Sequence, residues 1–193
     1  MDIRKLLFQH RSFVPIPFLV VMTIFAQPTT ASFVTGLLVV LGGEYLRLWG
    51  VAIAGSETRT TDRVGGTFLI TTGPFAYVRN PLYLGNILMY FGFGVMSMAL
   101  FPWLPLIALA FFTWQYSLII QLEEEHLAER FGDDYRFYRT SVQRFVPTLK
   151  KYKAASAPQP EISWRRGLHS EKRTLQAVIL LTGLIYVLWR VRG

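Results

Sequence analysis

Five apolar segments run along this chain, and they restrict the folds that it can adopt. They cover residues 13–26, 31–54, 82–100, 104–122 and 174–189. A helix needs roughly 20 apolar residues to cross a bilayer, and three of the segments come close to that length or exceed it. Only 17% of the residues are charged, against roughly 25% in an average soluble domain. These features predict an all-α, polytopic integral membrane protein with about five transmembrane helices.

The first apolar segment is short and contains Pro15 and Pro17. One interpretation of it is a cleaved signal peptide. Residues 27–30 form a turn that leads at once into the second segment, and this favours the alternative, a helical hairpin that stays in the protein.

The positions of the basic residues predict the orientation of the spans. Lys and Arg are concentrated near the N-terminus and in residues 55–80 and 123–173, whereas the turns near residues 28 and 102 have none. Basic loops stay in the cytoplasm, so we expect a multi-pass protein with a cytoplasmic N-terminus. Arg190 and Arg192 lie at the opposite end, where they could snorkel, or the last segment could be half-inserted. We attribute the net charge of +8 to orientation and anionic headgroups, and we expect no nucleic-acid partner.

The chain divides by composition into a membrane core, a linker and a last helix. We predict the core over residues 1–153, a basic linker over 154–173 and a C-terminal transmembrane helix over 174–193. Near the end of the core, apolar residues recur at helical spacing between arginines, which predicts an interfacial amphipathic helix lying on the membrane surface. These residues are Phe131, Tyr135, Tyr138, Val142 and Phe145.

Charged side chains within the second segment mark a candidate pocket wall. Glu44 and Arg47 are three residues apart and therefore share one helical face. Because charge inside a span is unfavourable unless it is paired or faces a cavity, the two form either an internal ion pair or part of a pocket.

A loop bracketed by prolines precedes the third segment. Pro74 and Pro81 disfavour helix at Gly73 and Asn80, which we expect to be extended or in turns. Pro81 also suits the first turn of the helix that follows. Arg79 and Asn80 would then lie at the N-terminus of that helix, where backbone N–H groups favour negative charge.

An acidic cluster ends the fourth segment. The third and fourth segments form a hairpin of nearly matched length, so Glu123 and Glu124 should lie at the same cytoplasmic depth as the loop. Acidic groups at a helix C-terminus are unfavourable, and Arg79, Arg144 or a cationic ligand should offset them. The alternative is a solvated acidic end that only marks the membrane boundary.

Three blocks of residues occur in order between residues 36 and 152. They are Leu46-Arg47-Leu48-Trp49; Gly73 to Tyr83 with Gly85; and Glu123-Glu124 with Leu127, Phe131-Gly132, Tyr135, Tyr138 and Arg144-Phe145-Val146-Pro147. In these blocks the chain resembles the isoprenylcysteine carboxyl methyltransferase and phospholipid methyltransferase superfamily of integral membrane enzymes. The resemblance implies a cytoplasmic S-adenosylmethionine pocket. The implied cofactor-binding residues are Gly73, Tyr77, Arg79, Asn80, Pro81, Tyr83, Leu84, Glu123 and Glu124.

Asn80 departs from one branch of this superfamily. The carboxyl methyltransferases usually have histidine at this position, whereas phospholipid methyltransferases can have asparagine. An asparagine side chain donates and accepts hydrogen bonds but cannot act as a base. Asn80 therefore weakens an assignment to prenylcysteine chemistry and leaves cofactor binding intact.

Methyl transfer from a sulfonium is one displacement that needs alignment and exclusion of water, without a metal or a covalent intermediate. This suits a chain with no cysteine and three scattered histidines, so we predict no metal site. We expect Glu123, Glu124 and Arg144 to be the catalytic residues. We hypothesise that Glu123 and Glu124 bind the amino group or the ribose hydroxyls of S-adenosylmethionine. Arg79 and Asn80 would bind its carboxylate and adenine edge, and Tyr77 and Tyr83 would pack on its flat or cationic parts. Arg144 would bind an acidic acceptor or a lipid phosphate.

The methyl acceptor stays open at this point. A phospholipid amine, an isoprenoid or prenylcysteine carboxylate, and a small thiol are all compatible with the residues, although the basic helix and Asn80 favour a lipid. We expect a lipophilic acceptor to enter sideways from the bilayer. The alternative from another class is a non-catalytic membrane protein that keeps the fold to bind lipid.

Overall fold

A computed structural model describes residues 2–55, 69–153 and 159–192 of the chain. All regular structure in these residues is helical, which confirms the all-α prediction. The helices are α1 (Ile3–His10), α2 (Ile16–Ile24), α3 (Thr30–Ala54), α4 (Pro81–Ser97), α5 (Trp103–Ser141) and α6 (Trp164–Arg192), and a short 3-10 turn covers Gly73–Ala76.

Three of these helices, α3, α5 and α6, are long and apolar enough to cross a membrane. Helix α4 has 17 residues and α2 has 9, below the roughly 20 that a perpendicular span requires. The long helices support an integral membrane protein. The total of five spans stays a prediction.

Helix α5 contains a break near its C-terminal end. Gly132 has φ 51° and ψ −122°, a conformation that glycine adopts far more readily than other residues. The turns after the break match the predicted amphipathic helix, but Tyr135 and Tyr138 are at most 3% exposed. They pack with Val142 and with partly buried residues that include Leu127. The apolar side of this helix therefore packs against protein within the first unit. Its position at the membrane surface stays a prediction.

Helix α6 begins at Trp164, ten residues before the predicted start of the last helix. The backbone N–H of Ser163 donates to the carbonyl of Ala52 at 2.8 Å and fixes the residue that precedes the helix. The second half of the predicted linker is thus helical and packed, which is a correction. Residues 154–158 of that linker lie outside the described part of the chain.

The chain forms two compact units. The first unit contains Met1–Gln9, Leu46–Leu84 and Ser117–Glu171, and the second contains His10–Tyr45, Gly85–Tyr116 and Lys172–Gly193. In the second unit, apolar side chains from α2, α3, α4, α5 and α6 form one buried cluster around Met22, Val40 and Ile185. This cluster supplies the core that these five helices share.

Arg192 has a structural role at the end of α6. Its Nη1 donates to the carbonyls of Thr23, Ile24 and Ala26 at 3.0–3.3 Å. These carbonyls lie in the last turn of α2 and just after it, where backbone acceptors lack helical partners. Within the second unit, a basic residue at this end therefore caps a neighbouring helix.

Candidate active site

Glu124 is the centre of a buried ion cluster in the first unit. Its side chain is only 6% exposed and pairs with two arginines. Arg79 Nη2 lies 2.8 Å from Oε1, and Arg144 Nη2 lies 2.6 Å from Oε2. A buried carboxylate is very unfavourable without such partners, and guanidinium groups bind carboxylates with matching geometry. Hydrogen bonds to Glu124 raise the pKa of Arg144 above its usual value, so Arg144 stays protonated.

Arg79 connects this cluster to the end of α5. Its Nη1 donates to the carbonyl of Arg139 at 2.7 Å and to the carbonyl of Val142. Its Nε and Nη2 both donate to Glu124. Arg79 therefore neutralises a buried acid and satisfies carbonyls that a helix C-terminus leaves open.

Four backbone–backbone hydrogen bonds and one from the side chain of Tyr138 attach the proline-bracketed loop to the end of α5 and the chain that follows it. The loop's partners lie between residues 138 and 152. The contacts are Arg79 N to Gln143 O (2.8 Å), Asn80 N to Arg144 O (3.3 Å), Thr148 N to Tyr77 O (2.8 Å), Tyr152 N to Ala76 O (3.0 Å) and Tyr138 Oη to Phe75 O (2.7 Å). Thr148 and the backbone carbonyls could not be predicted from the sequence, because residue type alone does not reveal a partner so far along the chain.

Gly73 begins the 3-10 turn with φ +59°, in the left-handed region. A Cβ atom there would lie 2.0 Å from Cδ1 of Ile53 and 3.3 Å from Nε1 of Trp49. The turn therefore packs directly on α3, which explains why glycine is needed. Pro81 begins α4, as predicted from its preference for a first helical turn.

Tyr83 and Glu123 form a second polar contact. Tyr83 Oη donates to Oε1 of Glu123 at 2.6 Å. Glu123 precedes Glu124 on α5, so the two carboxylates point in different directions around the helix. The helix pattern alone could not tell which of them is buried with the arginines.

Asn80 carries a buried donor. Its Nδ2 atom finds no hydrogen-bond partner among the described residues. An unsatisfied buried amide group costs about 1–3 kcal/mol, so an acceptor atom from a ligand would stabilise this position. The donor chemistry fits a ligand that carries carboxylate oxygens or ring nitrogens.

The structure brings Arg79, Arg144 and Glu124 into one cluster and pairs Tyr83 with Glu123. Tyr77 contributes its backbone carbonyl to the loop contacts, and Leu84 N donates to Asn80 O at 3.0 Å in the first turn of α4. Direct contact of these residues with a cofactor stays a prediction.

Arg47 forms an ion pair with a residue that the sequence did not indicate as its partner. Its Nη2 lies 2.8 Å from Oε2 of Glu171, whose side chain is 1% exposed. Because Glu171 falls within the predicted linker, the sequence did not indicate it as a partner of Arg47. The contact ties the start of α6 to α3 within the first unit.

Tyr138→Phe provides a local test of the loop contacts. The change leaves the Phe75 carbonyl without its 2.7 Å hydrogen bond, and we expect the free energy of unfolding to fall by about 1–3 kcal/mol. The melting temperature in detergent measures the effect. Tyr186→Phe is the control, since Tyr186 is 48% exposed. Equal melting temperatures for the two variants would contradict the structural role of the Tyr138 hydroxyl.

Residues 31–134, just over half of the 193 residues, match the family described as phospholipid methyltransferase. The cobalt-zinc-cadmium resistance protein CzcN of Cupriavidus metallidurans is 30% identical over 142 residues, 73% of this chain and 58% of that protein. The protein-S-isoprenylcysteine O-methyltransferase of Schizosaccharomyces pombe is 32% identical over 111 residues, 55% of this chain and 46% of that protein.

The human protein-S-isoprenylcysteine O-methyltransferase is 32% identical over 124 residues, 62% of this chain and 43% of that protein. The chain thus spans about half the length of the curated relatives that it matches. The family match contains the first two blocks of the resemblance and the Glu123-Glu124 pair of the third. The resemblance is therefore confirmed, and the chain belongs to the phospholipid methyltransferase family of membrane methyltransferases, in the superfamily of the isoprenylcysteine carboxyl methyltransferases.

Proposed function

We propose that this chain transfers a methyl group from S-adenosylmethionine to a lipophilic acceptor held in the membrane. The observation that carries the proposal is the contact between two blocks far apart in the sequence. Tyr83 reaches Glu123 across 40 positions, and Arg79 reaches Glu124 across 45. Two blocks that the resemblance links to one cofactor are therefore in direct contact at two points.

The cofactor supplies an activated methyl group on a positively charged sulfur. In our proposal the buried Nδ2 of Asn80 donates a hydrogen bond to an acceptor atom of the cofactor, such as a carboxylate oxygen or an adenine nitrogen. Glu123, oriented by Tyr83, accepts from its amino group or ribose hydroxyls. Both contacts would align S-adenosylmethionine, the methyl donor, and alignment is the main requirement of a displacement reaction.

Glu124 and Arg79 take a revised role in this proposal. Both oxygens of Glu124 already accept hydrogen bonds from arginines, and Arg79 donates from all three of its nitrogens. We therefore propose that these two residues position the loop instead of contacting the cofactor. Gly73, Tyr77, Pro81 and Leu84 shape the same loop and the first turn of α4.

Arg144 keeps the role of a contact for an anionic group. Its Nε and Nη2 bind Glu124, yet its side chain remains 29% exposed. The exposed part of a permanently charged guanidinium can bind a carboxylate or phosphate of the acceptor. We place this cluster on the cytoplasmic side, because the neighbouring chain is rich in Lys and Arg.

Asn80 does not decide the acceptor class by its proton chemistry. An ionised carboxylate needs no base, and a protonated amine would have to lose its proton to a group other than Asn80, because asparagine cannot take up a proton. The two curated relatives in fission yeast and human are named for O-methylation of isoprenylcysteine, and the matched family for phospholipids. Both names agree with a lipid that has a polar head.

The direct test uses S-adenosylmethionine with a labelled methyl group, the purified protein and a total lipid extract. We expect label in the organic phase. Alkali should release it as volatile methanol if the product is an ester, and should leave it in place if the product is an N-methyl lipid. Label in a small aqueous product would indicate a thiol acceptor. Absence of label in every fraction would contradict the proposed function and favour a non-catalytic lipid-binding protein.

A further inference from the structure

The N-terminal part of α6 carries a continuous basic face. Successive residues of an α-helix are rotated by about 100°, so the positions of this face follow from helix geometry alone. Its basic residues fall within about 120° of the helix circumference and are all exposed. They are Arg165, Arg166, His169, Lys172 and Arg173.

The opposite face of α6 is fixed against α3. Glu171 pairs with Arg47 at 2.8 Å. A Cβ atom on Gly167 would lie 3.0 Å from Cα of Ala52, so the two helices are in close contact there. These contacts lie within the first unit and prevent rotation of the helix. The basic face is therefore held outward, away from the protein.

An exposed apolar edge lies beside this basic face. Trp164 is 42% exposed and Leu168 is 49% exposed, and both occupy the side of the helix next to Arg165. The same helix continues as one of the three candidate spans. Tryptophan and basic residues at the end of a span are typical of the zone where headgroups meet the bilayer interior.

We propose that this basic face of α6 is a binding surface for anionic phospholipid headgroups. Charge complementarity and the continuity of the face with a membrane-spanning helix support a lipid in preference to a soluble acidic partner. Glu171, the acid nearest in sequence, lies on the opposite face of the helix and pairs with Arg47. The proposal is independent of methyl transfer, because the face takes no part in the Glu124 cluster.

The test is the fluorescence of Trp164 in vesicles that contain brominated lipids, which quench tryptophan at short range. One set of vesicles carries brominated phosphatidylglycerol and the other carries brominated phosphatidylcholine at the same mole fraction. Subtracting the signal of Trp164→Phe isolates this residue from the other tryptophans. We expect quenching by phosphatidylglycerol to exceed quenching by phosphatidylcholine by about two- to five-fold, because basic residues enrich anionic lipid around them.

Neutralising the face should remove this preference. The test variant replaces Arg165, Arg166, Lys172 and Arg173 by glutamine. The control variant replaces Arg130, Lys150, Lys151 and Lys153 by glutamine, which removes the same charge from exposed positions elsewhere.

We expect the control to keep the preference and the test variant to lose it. Raising the salt from about 0.05 M to about 0.5 M should also weaken it in the unmodified protein, whatever the variants do to folding. Equal quenching by the two lipids in the unmodified protein, as a soluble acidic partner would predict, would overturn the proposal.

Discussion

We expect the Glu124→Gln variant to lose methyl transfer and about 3–5 kcal/mol of stability, which is typical when one partner of a buried ion pair is removed. Arg79 is 9% exposed in the pair and cannot regain water in place of the carboxylate. The amide keeps one acceptor oxygen but has no charge, so two guanidinium groups would face each other across a neutral group. The loop that carries Asn80 should then lose its position.

Glu125→Gln is the matched control for this variant. Glu125 is the next residue of α5, and its partner Arg4 lies in an exposed pair, with side chains 57% and 27% exposed. Exposed pairs contribute about 0–1 kcal/mol, so the melting temperature and turnover should stay near those of the unmodified protein. If Glu124→Gln melted and turned over like Glu125→Gln, the structural role of the ion cluster would be wrong.

Gly36→Ala should destabilise the second unit by about 1–3 kcal/mol or more, the range expected for overpacking. A Cβ atom at Gly36 would lie 2.5 Å from the backbone N of Met96 and 2.6 Å from the carbonyl O of Gly92. Since these neighbours are backbone atoms of α4, no side-chain rotation relieves the contact. Helices α3 and α4 would have to separate, and small residues are what allows membrane helices to approach this closely.

Gly42→Ala separates this packing effect from helix propensity. Gly42 lies on the same helix, and a Cβ atom there meets nothing within 4 Å. Alanine is a better helix former than glycine, so this variant should be neutral or slightly more stable. Melting temperatures in the same detergent give the comparison. A loss of stability in both variants, or in neither, would contradict the close approach at Gly36.

The sequence predicts the helices better than their contacts. The second and third apolar segments match α3 and α4 to within a few residues, because long apolar runs and Pro81 mark helix boundaries locally. Helix α6 starts earlier than predicted, because its first turns are basic and show no apolar run. Its stability there comes from Glu171 and Gly167, whose partners are on α3 and cannot be inferred from local pattern.

In the candidate site, too, the sequence indicates the residues better than it indicates their contacts. The sequence brings Arg79 and Arg144 forward as possible partners of the acidic pair Glu123 and Glu124. It cannot show that both arginines bind the same carboxylate, or that Asn80 keeps a buried donor. Such contacts depend on the break at Gly132 and on how the following chain folds back, which are tertiary effects.

Calorimetric titration of S-adenosylmethionine into the detergent-solubilised protein and its Asn80→Asp variant tests the central claim most directly. Aspartate replaces the buried amide donor by a carboxylate, and its favourable position at a helix N-terminus offsets part of the cost of placing that charge there. We predict binding to the unmodified protein and at least about ten-fold weaker binding to the variant, when both are titrated well below their melting temperatures. Absence of binding to the unmodified protein, or equal binding to both, would contradict a cofactor site at this loop.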